Sequence, residues 1–420
     1  MPITKGTKIN MILMFKDIPV ANISFGVTGM FSSIKGFYNR TLMPPGTRVL
    51  DDFVEKRFKE WIDNRSIPTI RPNIMELNKL TGMSNPTQYY FQNRGASLND
   101  CYWFQTEEQY NMDFGWDDIN FFDNNYSLYS GEELLNLLPT FLNENFESPN
   151  FTTNGKMSKM WVKQGDKDIL YKTGTLEACD QEVFNEILAS EIASRLGINH
   201  VDYTLTKLML KDGNERFFCK CENFCNKDWE FIPAQSMMVE NDSIGKKGFI
   251  KYMEKNNLIS HIYQMLVLDY IISNKDRNPS NFGVIRDTNT LEVVGMAPLF
   301  DNGTSLWCDW YENPIGQDDS SKPFELTHEK QIKMINDFSW LDLDVLDGIN
   351  IYAHELYSKS NIPEEVQSEI INCMMLNIEK LKDIVISNNK SIGINIENDD
   401  NEDLNILKKP KISKADNGFG

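Results

Sequence analysis

The sequence predicts an α+β chain of two lobes, a β-rich N-lobe and a mainly helical C-lobe, behind an extended N-terminal region of mixed character. Three observations carry this. Apolar alternation over 159–163, 169–172, 201–210 and 215–224 reads as strands, and these bracket one strongly periodic helix at 180–197. After Pro233 the pattern turns helical, broken by a single hairpin and a loop over 301–323. Before Ser148, two short strands from Ile9 lead into a stretch with helical spacing.

With 420 residues, 41% of them hydrophobic, the chain can bury a sizeable core. Its 61 Asp and Glu against 42 Lys and Arg give a formal net charge of −19, which repels polyanions at long range, so no direct nucleic-acid binding is expected. Seven cysteines, an odd number without framework spacing, and no charged-then-apolar leader point to a reducing cytoplasmic location. The longest apolar run, "LISHIYQMLVLDYIIS" at 258–273, contains His261, Gln264 and Asp269 and reads as a buried helix. No membrane association is expected.

In chain order, "INMILMFKDIPVANISF" from Ile9 reads as two strands turning at 16–19, and Phe53, Phe58 and Trp61 follow at helical spacing. The aromatic crowd over 101–127 reads as packed core or lobe interface rather than a ligand cage. Residues 148–174 form a small-residue turn, a strand, a Gly-Asp turn and a second strand. The helix over 180–197 gathers Val183, Phe184, Ile187, Leu188, Ile192 and Leu196 on one broad face and stops at Gly197. Residues 391–420 are polar, with an acidic run at 399–403 followed by a basic one, and a mobile tail is expected there. The chain is accordingly divided into 1–147, 148–225, 226–390 and 391–420.

The chemistry concentrates in "SNKDRNPSNFGVIRDTNTLEVVGMAPLFDNGTSLW" at 273–307. Two β-rich arms around 287–289 form an antiparallel hairpin that returns the chain near Asn281 by about Gly295, shortly before Asp301. The Asn281 amide and the Asp301 carboxylate then lie side by side, with Asp276 just before the first arm. Magnesium suits two hard oxygen ligands completed by water and substrate phosphates. Phosphoryl transfer needs that pair and one base, and Asp276, Asn281 and Asp301 occur in the order of base, metal ligand and metal ligand. Taken singly, each Asp would more often cap a turn.

"NKDRNPSNFGV" and "MAPLFDNGTSLW", with "TTNGKMSKMW", "LYKTG", "FNEILASEIASRLGI" and "FIPA" before them, resemble the HipA-like protein serine/threonine kinases over about 148–323. The resemblance implies a two-lobed protein-kinase-like fold, ATP and Mg2+ as cofactors, and a protein substrate. It implies Asp276 as catalytic base, Asn281 and Asp301 as metal ligands, and Lys172 as the strand lysine on the ATP phosphates, oriented by Glu186. Asn154 and Gly155 would cover the phosphates, and backbone groups of Glu222, Asn223 and Phe224 would meet adenine. Thr152, Thr153 and Ser158, in or beside that turn, are candidate self-phosphorylation sites. Members often act as the toxin of a toxin–antitoxin pair, so an antitoxin partner is a corollary of the resemblance.

Two features depart from the family pattern. Asn278 stands where a histidine is common, and the first 147 residues differ from the shorter N-terminal part of better-known members. A zinc site at Cys219, Cys221 and Cys225 is a competing reading that lacks a fourth ligand. His200, His261, His328 and His354 are read as structural. The rival functions are a lipid or small-molecule kinase of related fold and a nucleotide-sensing pseudokinase.

Overall fold

The computed structural model describes residues 8–26, 29–48, 53–82, 86–112, 114–137, 147–240 and 245–406. Strands β1 (Ile9–Phe15) and β2 (Ile18–Phe25) pair antiparallel, with the turn at 16–17. With β3 (Phe31–Phe37) and β4 (Tyr102–Gln105) they form a sheet of order β3-β2-β1-β4. Helix α1 (Val54–Asp63) lays Phe58 and Ile62 into the same core as Leu13, Phe15, Ile23, Phe25, Trp103 and Phe104. The aromatic crowd is therefore core: Trp103 is buried and its indole N–H donates to the Lys16 carbonyl at 2.8 Å. Helices α2 (Ile74–Thr81) and α3 (Pro86–Gln92) precede β4, and α4 (Glu107–Tyr110), α5 (Trp116–Ile119) and α6 (Tyr129–Leu134) follow it.

The second sheet joins β5 (Lys159–Gln164), β6 (Lys167–Lys172), β7 (Thr204–Met209) and β8 (Glu215–Glu222) in the order β5-β6-β8-β7. Successive residues on β5 face opposite sides. Trp161 enters the N-terminal core, while Met160 packs with Leu135 and Leu137, so the N-terminal region covers both faces at this edge.

Helix α7 (Gln181–Arg195) links β6 to β7. One broad apolar face was expected, yet α7 is buried nearly all round. Its polar side chains explain why. Asn185 donates to the Gly303 and Ser305 carbonyls at 2.9 and 2.7 Å and accepts from the Tyr357 hydroxyl at 2.7 Å, and Gln181 donates to the Leu306 carbonyl at 2.8 Å. The face that would meet solvent on an isolated helix instead holds the segment after Asp301.

Strand β9 (Trp229–Pro233) pairs with β10 (Gly283–Asp287), which pairs with β11 (Val293–Met296). The hairpin was expected; the third strand was not. Gly283 crosses so close to β9 that a Cβ would sit 2.1 Å from the Ile232 carbonyl oxygen, so only glycine fits there. The rest is helical: α8 (Ala234–Glu240), α9 (Lys246–Lys255), α10 (Ile259–Ile272), α11 (His328–Gln331), α12 (Ile349–Tyr357) and α13 (Glu364–Ile406). Helix α10, the apolar run of the sequence, is buried against α13, and no described helix is long and apolar enough to cross a membrane.

Over 391–406, within the stretch expected as a tail, the backbone continues α13. The remainder of the tail, 407–420, lies outside the described residues.

Candidate active site

The hairpin register, Ile285 opposite Gly295 and Val284 opposite Met296, returns the chain beside its start as the sequence implied. The Asn281 amide nitrogen donates to Asp301 Oδ2 at 2.6 Å. Asp301 Oδ1 meets the ammonium of Lys172, which also pairs with Glu186 Oε1. The other Glu186 oxygen accepts the backbone N–H of Asn302 at 2.8 Å. Glu186 is fully buried, which rules out an exposed helix charge and makes it the brace between strand lysine and Asp301 segment.

The charges are mutually stabilising. Burial pushes the Asp301 carboxyl up, but Lys172, with Lys159 and Arg277, holds it well below the ordinary carboxylate range. Burial pulls Lys172 down, but Asp301 and Glu186 raise it well above the ordinary lysine value.

Asp276 stands apart from this network. Its Oδ1 accepts from Lys322 Nζ at 2.7 Å, and its side chain is 45% exposed. Asn278 carries no charge; the cation beside Asp276 is Lys322, from the far end of the following loop. That loop clasps the preceding residues too. Lys275 pairs with Asp309 at 3.3 Å, and buried His328 contacts the Asn274 carbonyl at 2.9 Å and Asp318 Oδ1 at 2.8 Å. Burial lowers the pKa of that ring, but Asp318 and the Asn274 carbonyl, both acceptors, raise it on balance.

Arg277 ties the two halves of the site together. Its buried guanidinium pairs with Asp269 of α10 at 2.7 Å and donates to the Phe300 carbonyl at 2.7 Å and to Asn302 Oδ1. Asp269 is the carboxylate within the apolar run. Removing one partner of a buried pair strands the other, so Asp269→Ala should cost about 3–5 kcal/mol of unfolding free energy in denaturant titration. A loss below about 1 kcal/mol, the scale of a surface pair, would refute this role.

The turn before β5 carries Asn154 and Gly155. Gly155 has φ +96°, and a Cβ there would lie 2.7 Å from Lys159 Nζ, so the turn rides directly over that ammonium. Lys159 is the cross-strand partner of Lys172, and burial, with Lys172 and Arg71 nearby, pushes it down to about 8 against the pull of Asp301. Thr152, Thr153 and Ser158 are all buried. The Thr152 hydroxyl donates to the Ala96 carbonyl at 2.8 Å, and that of Thr153 to the Asn150 carbonyl at 2.9 Å.

At the end of β8, Glu222 pairs with Lys167 at 2.5 Å, and the Asn223 N–H donates to the Asp168 carbonyl at 2.8 Å. The Phe224 ring packs on Phe300, next to Asp301, with centroids 5.4 Å apart. A cavity of about 460 Å³ opens beside this segment, with Ile169, Cys221, Phe224 and Pro298 in its wall. Cys219, Cys221 and Cys225 are buried free thiols, and among the described residues no group of three or more His, Cys, Asp and Glu is placed to hold a metal unaided.

The sequence reading missed Lys159, Lys322, Asp269, Arg277 and Arg71. Only Lys159 had a readable signal: a hairpin turning at 165–166 puts it opposite Lys172.

No protein-family model matches the chain. In sequence it is similar to the serine/threonine-protein kinase CtkA of Helicobacter pylori, 22% identical over 249 residues, covering 51% of this chain and 74% of that protein. Among solved structures it is similar to the H. pylori proinflammatory kinase CtkA, with TM-score 0.41 and 16% identity over 57% of this chain and 95% of that one. It is also similar to a chain of the Shewanella oneidensis MR-1 toxin–antitoxin complex of HipA, HipB and operator DNA. There the TM-score is 0.47 and the identity 12%, over 88% of this chain and 97% of that one.

Proposed function

We propose that this chain, a relative of the HipA-like serine/threonine kinases, transfers the γ-phosphoryl group of Mg-ATP to a Ser or Thr hydroxyl of a protein. One observation carries the reading. Lys172, Glu186, Asn281 and Asp301 converge in a single network, and the separate, solvent-reachable carboxylate of Asp276 stands five positions before Asn281 in the chain. A site for nucleotide binding alone would not need that second carboxylate.

Residues 148–225 and 226–390 are the two lobes in this reading. Asp276 takes the proton of the incoming hydroxyl as its oxygen bonds to the γ-phosphorus and the bond to the bridging oxygen breaks, leaving ADP. Lys172, held by Glu186, contacts the phosphates; Asn154 and Gly155 cover them; backbone at Glu222, Asn223 and Phe224 meets adenine. The Asp301 carboxylate and the Asn281 amide oxygen, presented by rotating the amide away from its bond to Asp301, fit magnesium as a pair of hard donors. Magnesium held there would supply positive charge that offsets the charge of the phosphates.

Phosphate on Thr152, Thr153 or Ser158 requires the buried turn to come out. An antitoxin partner fits the reading. The net charge disfavours direct polyanion contact but says nothing of DNA reached through a partner. Seven free thiols fit a reducing cytoplasm.

The test is phosphoproteomics after brief expression of the chain or of Asp276→Ala, with mass spectrometry of the purified chain after incubation with Mg-ATP. Ser or Thr phosphosites that appear only with the unaltered chain are expected, as is self-phosphorylation within 152–158. Identical phosphoproteomes together with no ATP turnover would overturn the kinase reading, and self-phosphorylation confined to 407–420 would remove the turn sites.

A further inference from the structure

We infer that Arg71 makes the N-terminal region part of the nucleotide site: its guanidinium sets the turn at 153–155 in the shape that receives phosphate, so triphosphate affinity depends on this arginine. The inference rests on the kinase reading and assigns a role to a residue more than eighty positions from the turn.

Arg71 lies just ahead of α2 and is 1% exposed. Nη2 donates to the Thr153 and Gly155 carbonyls at 2.7 and 2.8 Å, Nη1 to the Thr153 hydroxyl at 2.7 Å, and Nε to the Gly155 carbonyl at 3.2 Å. All of these acceptors belong to the turn. None is a carboxylate, and among the described residues Arg71 forms no ion pair. Burial alone lowers its pKa, to about 9. A guanidinium buried without a counter-ion is costly, and an arrangement that keeps one has a use for an anion.

The bonds also fix where the turn's donors point. In a trans peptide the C=O and the following N–H are antiparallel. Holding the Thr153 and Gly155 carbonyls toward Arg71 therefore turns the Asn154 and Lys156 N–H groups away from it. Neither N–H has a protein acceptor among the described residues. The free Asn154 and Lys156 amides thus flank the positive-φ Gly155, whose own N–H donates to the Asn154 side-chain oxygen at 2.6 Å, and both are left to meet an anion on the side away from Arg71. The Lys159 ammonium lies against that glycine, and Lys172 is directly across the strand pair. Arg71 is thus a positioning residue: it orients the amides and adds its charge from behind.

A brace that merely supported the fold would affect all ligands alike, whereas this role is specific to phosphate. Calorimetry on the full chain with Mg-ATP and with adenosine separates the two. Arg71→Gln should weaken Mg-ATP about tenfold to a hundredfold, the loss of one or two charge-assisted contacts, and leave adenosine within about twofold. Thr153→Val removes the Nη1 acceptor, together with the hydroxyl's bond to the Asn150 carbonyl, while keeping the Arg71 bonds to the two carbonyls, and should weaken Mg-ATP about threefold or more with adenosine unchanged; it decides the matter if Arg71→Gln does not fold. Equal weakening of both ligands, or unchanged Mg-ATP affinity, overturns the inference while the kinase reading stands. An unaltered chain that binds no Mg-ATP overturns both.

Discussion

Replacing Asp276 by Asn should lower phosphoryl transfer to protein by about a hundredfold or more while Mg-ATP affinity stays within about threefold. Asn keeps the shape of the side chain but cannot accept the hydroxyl proton. Geometry predicts the separation of the two effects. Asp276 makes no contact with Lys172, Glu186 or Asp301, and among the described residues its carboxylate's one side-chain partner is Lys322 at 2.7 Å, half-exposed like Asp276 itself. Losing an exposed ion pair costs about 0–1 kcal/mol, so the fold should be unaffected. Lys322 on Oδ1 leaves Oδ2 for the incoming hydroxyl. Single-turnover transfer from radiolabelled ATP, measured beside calorimetric ATP binding, reads both quantities. A variant that transfers phosphate normally, or that loses Mg-ATP, would remove Asp276 from the role of base.

The parts of this site legible in the sequence were those whose geometry is local. A hairpin joins Asn281 to Asp301, so strand pairing alone brings them together. A strand followed by a helix joins Lys172 to Glu186, and the 14 positions between them suffice for the helix to cross the strand. What stayed hidden depends on contacts between distant segments. Asp269 looked like a blemish in an apolar helix because its partner, Arg277, lies beyond the helix end and is buried with it. Lys322 sits 46 positions from Asp276 and reaches it only because the intervening loop folds back along the segment that carries Asp276. The polar residues of α7 suggested a solvent face, and only packing against Gly303, Ser305 and Tyr357 shows that they grip the segment after Asp301. Strand β9 escaped notice because three helices, α8, α9 and α10, stand between it and its partner β10 in the chain.

Replacing Asp301 by Asn should abolish the benefit of magnesium for ATP binding and lower turnover by about a thousandfold or more, since it removes a metal-directed charge from the centre of the site. The fold has reason to survive, because Lys172 keeps Glu186 as a partner and Asn can still bond Asn281. The pH dependence follows from the same charges. Burial pushes the carboxyl up but Lys172, Lys159 and Arg277 more than reverse this, so its folded pKa lies below the unfolded value near 3.8. A carboxylate depressed in this way contributes stability above the unfolded pKa and loses it as pH falls through the folded one. Asp301→Asn should thus be less stable than the unaltered chain at neutral pH, with the gap narrowing only as the pH drops below about 4. Calorimetry with ATP, with and without magnesium, distinguishes this variant from Asp276→Asn, which should retain the magnesium effect. If Asp301→Asn bound Mg-ATP and turned over normally while Asp276→Asn lost Mg-ATP, the two carboxylates would have to exchange roles, and the network around Lys172 would be structural rather than catalytic.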